Sequence, residues 1–325
     1  MISATEAYQA PRWLRGGHAQ TIYPALFLRG ARPRYRRERW ETPDGDFIDL
    51  DFLDGGDVAA PCVALFHGLE GGSSSHYARS LMRALARLRW MGVVVHFRGC
   101  SGEANRLPRA YHSGDAAEIG WVLARLARTR RPLYAAGVSL GGNALLKWLA
   151  ETGSEAEGLL SAAAAVSAPL DLMASGTALG QGWNLIYTRM FLATLRKKSL
   201  DKLARFPGLF DRNLVLRARS LRDFDNVVTA PLHGFRDTDD YWTRASSKPG
   251  LASVRLPTLV LNARNDPFLP SAHLPGPADV SAAVRLEQPA EGGHVGFADG
   301  AFPGDIDWLP RRLLAFFGEH RAPPR

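Results

Sequence analysis

The sharpest chemical motif in the 325-residue chain is Gly137-Val138-Ser139-Leu140-Gly141. A serine hydroxyl is a poor nucleophile at neutral pH. It needs a positioned base, and the base needs an orienting acid. In a chain with 32 glycines, G-x-S-x-G alone is a weak signal. Its flanks sharpen it: LYAA precedes it and GNALLKWLA follows. That order predicts a strained strand-to-helix turn projecting the Ser139 Oγ. Small residues at Gly137 and Gly141 would let neighbouring backbone pack close. The helix N-terminus behind the serine favours developing negative charge. The bland alternative is a glycine turn carrying an idle serine.

In a fold that presents its serine on such a strand-to-helix turn, the acid and then the base should follow it in chain order. His294 lies in the loop Glu291-Gly292-Gly293-His294-Val295-Gly296, and Asp266 in Asn265-Asp266-Pro267, just after an apolar run. Alone, Asp266 reads as a turn residue before proline, and His294 as a loop histidine. Their order and positions make them the expected acid and base. Asp171 is a rival acid, since it also follows a strand-like segment. His233, His273 and His320 also follow the serine, and Cys100 is a possible thiol nucleophile without a paired base. Acyl transfer also needs two donors for an oxyanion. The expected pair is the backbone N–H of Leu140, next to the nucleophile, and that of Leu69, in His67-Gly68-Leu69-Glu70-Gly71-Gly72. His67 precedes the serine and reads as an orienting residue.

Short apolar runs alternate with amphipathic stretches around these residues. Strands are predicted over 62–66, 92–97, 133–137, 163–167, 258–263 and 284–288. Helices are predicted over 75–90, capped by Ser73 or Ser74, and over 115–128, 142–152 and 306–317. Segments 36–42 and 47–53 alternate around Asp44-Gly45 and read as an antiparallel edge hairpin. The whole predicts an α/β fold: a mostly parallel eight-stranded sheet with helices on both faces. Residues 1–325 read as one domain. Within it, 1–35 reads as an N-terminal arm and about 170–250 as a helical cap or lid insertion, with a helix over 184–205 ended by Pro207-Gly208.

Composition excludes much else. The chain is 46% hydrophobic and 22% charged, ordinary for a globular protein. Its two cysteines, Cys62 and Cys100, make neither a disulfide framework nor a Cys-rich zinc site. No H-E-x-x-H, P-loop or dinucleotide fingerprint occurs, so neither metal nor cofactor is expected. No leader-like segment or apolar run of transmembrane length is evident, so a cytoplasmic protein is expected. The net charge is +8. Residues 1–40 hold eight Arg and two Glu, and 184–250 hold 13 Lys/Arg and seven Asp/Glu, so the surplus is local. No nucleic-acid signature accompanies it. The bland reading of these segments is solvated faces; the sharper one is that they flank the entrance and attract anionic or membrane-presented substrates.

Taken together, PDGDFIDLDF, LFHGLEGGSSSHYARSL, GVVVHFRGCSGEANRLPRAYHSGD, GVSLGGNALLKWL, VSAPLDL, RDFDNVVTAPLHGF, RNDPFLP and GGHVGF resemble the α/β-hydrolase superfamily. More narrowly they resemble the YheT-type esterases, family four of the AB-hydrolases. The likeness runs from about Arg12 to Phe317. It implies a Ser139–Asp266–His294 triad and hydrolysis of carboxylic esters, with related eukaryotic members acting on lipids. The small-molecule partner would be an ester of a short or medium acyl chain, or a lipid-like one, with short to medium chains expected to be preferred. FRGCSG and HSGD look like family signatures, with Arg98 and Asp115 expected to hold loops, and Cys100 and His112 without an assigned role. An acyltransferase or thioesterase would use the same residues. A non-catalytic ligand-binding protein of the same fold would leave Ser139 unreactive to a serine-directed probe.

Overall fold

β-Branched and alanine-rich runs extend where both of their faces can be buried, and the amphipathic stretches between them coil. The computed structural model describes residues 7–28, 30–56, 59–129 and 131–321; residues 1–6 and Arg29 of the expected arm lie outside the described residues. The chain opens with helix α1 (Gly17–Phe27), then β1 (Arg36–Glu41), β2 (Phe47–Leu53) and β3 (Cys62–Phe66). Next come α2 (His76–Arg87), β4 (Met91–His96), α3 (Ala116–Ala127), β5 (Leu133–Val138), α4 (Leu140–Thr152) and β6 (Ala162–Val166). An all-helical stretch follows: α5 (Leu172–Leu179), α6 (Leu185–Arg205), α7 (Arg212–Arg217), α8 (Leu221–Phe224), α9 (Ala230–Leu232) and α10 (Thr238–Ala245). The chain then returns to the sheet through β7 (Thr258–Leu261) and β8 (Val284–Glu287), and α11 (Trp308–Glu319) follows.

The eight strands form one sheet in the order β1-β2-β4-β3-β5-β6-β7-β8. The expected fold class is borne out. β1–β2 and β2–β4 pair antiparallel, and the other pairs are parallel. Side chains alternate between the two faces. Cys62, Ala64 and Phe66 join one core cluster, while Val63 and Leu65 join the other. β6 is nearly all alanine, and it is fully buried between β5 and β7.

Most element ends shift by one to three residues from expectation, and two of the shifts concern caps. The N-cap of α2 is Ser75, and Ser73 instead donates its hydroxyl to Asp51 at 2.5 Å. α4 begins at Leu140, two residues early, because Ser139 itself occupies the N-cap. The segment expected as an arm contains α1, which packs into the body. Gln20 is fully buried; it donates to the Leu14 carbonyl at 2.8 Å and accepts from the Ala298 N–H at 3.0 Å. A Cβ at Gly296 would overlap the Gln20 carbonyl, so only glycine lets this loop lie on α1.

The HFRGC stretch has a structural role. Arg98, buried after β4, donates to Glu118 on α3 at 2.6 Å and to Asp44 and Asp46 in the hairpin turn at 2.9 and 3.2 Å. It therefore ties hairpin, sheet and helix together. Asp115 takes both of its contacts, at 2.7 and 2.9 Å, from Arg109. Replacing Arg98 leaves buried carboxylates without their counter-charge. Arg98→Met is expected to cost about 3–5 kcal/mol of stability, read as a lower urea midpoint at unchanged slope.

Candidate active site

The loops after β3, β5, β7 and β8 all leave the sheet at its carboxyl edge, the usual position for ligands in open α/β sheets. Ser139 follows β5. Its backbone is left-handed, with φ 53° and ψ −121°, a conformation that costs energy for a residue with a Cβ. Neighbouring backbone holds it there: its N–H donates to the Val166 carbonyl at 2.8 Å. A Cβ at Gly137 would lie 2.5 Å from the Gly141 carbonyl oxygen, and one at Gly141 would meet the Phe66 and His67 carbonyls. Both glycines are therefore required by the closeness of the turn.

His294 Nε2 lies 2.7 Å from Ser139 Oγ. Its Nδ1 lies 3.0 and 3.2 Å from the two oxygens of Asp266. The tautomer satisfying both contacts carries its hydrogen on Nδ1, donates to Asp266 and accepts from the serine hydroxyl. Asp266 and His294 are buried. Asp266 also accepts from the Phe268 N–H at 2.8 Å, and the Phe268 ring stacks on the imidazole at 3.9 Å. The His294 N–H donates to Thr21 of α1 at 2.8 Å, and the Val295 N–H donates to Ser167 at 3.0 Å. Residues 155 and 28 positions apart in sequence thus converge on one imidazole.

The β3 loop lies against the serine: a Cβ on Gly68 would sit 3.1 Å from that of Ser139. The Gly68 N–H donates to Tyr77 and the Glu70 N–H to Tyr111, each at 2.9 Å. Between these occupied neighbours, the Leu69 N–H has no protein partner among the described residues. His67 is fully buried beneath. Its Nδ1 donates to the Gly68 carbonyl at 2.7 Å, and its Nε2 accepts from the Phe97 N–H at 3.1 Å. Burial pushes its pKa down to about 3.

The rivals lie elsewhere. Asp171 caps α5 through the Ala174 N–H and faces His273 at 3.2 Å. His233 contacts the Thr229 and Ala110 carbonyls, and His320 packs on Phe316. Burial raises the Cys100 thiol to about 11 and lowers His112 to about 4. Both are thereby kept neutral near pH 7.

A cavity of about 540 Å³ opens over Ser139. Its walls are largely apolar, with Leu69, Leu140, Leu172, Leu179, Phe191, Leu195, Phe224, Val228 and Phe268 among them. One face of α6 presents Lys198, Lys202 and Arg205 at successive turns. Lys198 reaches the Glu70 carboxylate at 2.8 Å. Lys202 donates to the Leu107 and Arg109 carbonyls at 3.2 Å, and Arg205 to the Asn105 carbonyl at 2.6 Å. Burial lowers Lys202 to about 8. Sequence reasoning missed Thr21, Gln20, Tyr111, Phe268 and Lys198. Tyr111 and Phe268 fall inside segments that carry the resemblance, but nothing local marks their roles, and Gln20, Thr21 and Lys198 carry no motif, because each acts through contact with a distant loop. Among the described residues no group of three or more His, Cys, Asp or Glu is placed to hold a metal ion.

Residues 61–301 match the family model for the alpha/beta hydrolase fold. The chain is 39% identical over 318 residues to "Putative esterase YheT" of Escherichia coli (strain K12), covering 96% of this chain and 93% of that protein. It is 32% identical to phospholipase ABHD3 of Mus musculus, covering 96% of this chain and 78% of the other. Among solved structures, the Pyrococcus furiosus esterase PF2001 superposes with a TM-score of 0.55 at 14% identity, over 89% of this chain and 92% of that one. The chain belongs to the α/β-hydrolase family.

His67 makes the fold sensitive to acid. Its unfolded side chain takes up a proton near its ordinary value of 6.5, whereas the folded one resists until about 3. Between these values the unfolded state binds more protons, so stability falls as pH drops from 6.5 toward 3 and is unaffected above 6.5. Thermal midpoints measured from pH 7 to 4 are expected to fall less steeply in His67→Gln than in the parent.

Proposed function

We propose that this protein hydrolyses carboxylic esters, lipid-like ones above all, through an acyl-enzyme on Ser139. The observation that carries the proposal is the continuous contact from Ser139 Oγ to His294 Nε2 and from His294 Nδ1 to Asp266. The names esterase and phospholipase among its relatives support the reaction class. The apolar cavity over Ser139 supports an acyl chain as the occupant. The helical insertion that walls it then acts as a lid.

In the proposed reaction the Ser139 oxygen attacks the ester carbonyl as its proton passes to His294 Nε2. Asp266 holds the imidazole in the productive tautomer and stabilises the imidazolium. The N–H groups of Leu69 and Leu140 receive the oxyanion. The alcohol leaves with the proton from His294. Water then attacks the acyl-enzyme through the same base, which restores Ser139. The Glu70 carboxylate, shared by Lys198 and Tyr111, steadies the loop that carries Leu69. It thereby links the lid helix to the oxyanion donor.

Ser139→Ala and His294→Ala are each expected to lower kcat by about 10⁴-fold or more, with little change in KM, because the members act as one unit. A fluorophosphonate probe should label the parent and spare Ser139→Ala. Hydrolysis at the parental rate by folded Ser139→Ala overturns the assignment. An acyltransferase would use the same atoms, and product analysis with an added alcohol acceptor separates the two.

A further inference from the structure

Ten large apolar side chains are exposed among the described residues, and six of them belong to α1 and to the segment that opens α6. Ile22, Leu26 and Phe27 lie on α1; Trp183 lies in the 3-10 turn that leads into α6, and Ile186 and Met190 lie in the first turns of α6. Trp183, Ile186 and Met190 recur at spacings of three and four, so they share one helix face. Exposure reaches 77% at Trp183, 69% at Phe27 and 64% at Met190.

These side chains are not scattered. The Trp13 ring packs edge-on against Tyr23 and against Phe302, itself 73% exposed, and Tyr23 packs against Phe27. The two helices meet where the His18 and Tyr187 rings lie parallel at 5.8 Å, with His18 Nδ1 3.1 Å from the Tyr187 hydroxyl. Single exposed apolar residues are ordinary on a protein surface, whereas a contiguous group marks a place of contact.

Charge indicates the kind of partner. Arg12, Arg15, Arg32 and Arg34 flank α1, and Arg189 stands beside Met190. None of the five makes an ion pair with a carboxylate among the described residues. A polyanionic, flat and apolar-backed partner satisfies both features. Aromatic rings and Met enter the head-group boundary while arginines stay with the phosphates. The face also adjoins the site. Tyr187 rests on Phe268 at 4.8 Å, and Phe268 stacks on His294. Past Met190, Phe191 and Leu195 of the same helix line the cavity over Ser139.

We propose that the α1 and α6 ends form a docking face for anionic lipid bilayers, holding the cavity beside the lipid. The purpose of the docking rests on the ester-hydrolase reading, but the docking itself is measurable without catalysis. Full-length Ser139→Ala is sedimented with phosphatidylcholine vesicles, with and without phosphatidylglycerol. Binding is expected with phosphatidylglycerol, weaker at high salt. It should fall at least about tenfold in Phe27→Ser/Met190→Ser and in Arg12→Gln/Arg15→Gln. Both double variants change exposed side chains only. In the Ser139 background they should melt as the parent does and hydrolyse a water-soluble ester at its rate.

No vesicle binding by the parent, or binding unchanged in both double variants, overturns the docking face. Self-association in ultracentrifugation that disappears in Phe27→Ser/Met190→Ser, without vesicle binding, assigns the face to contact between copies and also overturns it. Vesicle binding by a chain that hydrolyses no ester leaves the docking face standing and removes the enzyme reading. Ester hydrolysis without vesicle binding does the reverse.

Discussion

The left-handed backbone at Ser139 is the constraint on which the rest of the site depends. A non-glycine residue at φ 53° stays there only if its surroundings leave no alternative. Here the surroundings are backbone. Gly137 and Gly141 bring the β5–α4 turn against itself and against the end of β3, and the Val166 carbonyl holds the serine N–H. The same closeness puts Gly68 against the serine and puts the Leu69 N–H in the adjacent loop. Packing therefore sets the direction of the hydroxyl before any ligand is present.

From that turn outward, each loop is held by a second element. His294 meets Ser139 because its loop lies on α1, with Thr21 accepting from its N–H and Gln20 holding Ala298. The β3 loop is held by Tyr77, Tyr111 and, through Glu70, by Lys198 of the insertion. The neutral, buried His67 supports it from below. Rigid supports of this kind are what keep reacting groups within a fraction of an ångström of a productive arrangement. The Arg98 cluster does comparable work one layer back, fixing the hairpin turn to α3.

The basic surplus also acquires a location. Lys198, Lys202 and Arg205 tie α6 to the body through Glu70 and the carbonyls of Leu107, Arg109 and Asn105. Arg12, Arg15, Arg32 and Arg34 flank α1 in sequence and Arg189 adjoins Met190, and both helices carry exposed apolar residues. One sign of charge thus serves two purposes, attachment of the insertion and the proposed contact with lipid.

The sheet was legible because its strands carry their own pattern: CVALF, LYAAGV and AAAAV can be buried on both faces and little else. Ser139, Asp266 and His294 were legible for a different reason. Each sits in a short motif whose backbone must turn sharply, and their order along the chain matches the carboxyl edge of a parallel sheet. The boundaries at Ser139 and Ser75 were less so, because a cap is chosen by neighbours in space. Nothing in HAQT announces that Gln20 and Thr21 hold a histidine loop 278 and 273 residues away. Nothing in LRKKSLDK separates Lys198, which reaches Glu70, from Lys197 beside it. By itself the sequence determined the strands, the elbow and the three side chains that converge there, since those follow from local pattern and chain order. Only the tertiary structure decided which residues support them and where the charge and exposed apolar surface gather. Those depend on contacts between distant segments, which leave no local pattern.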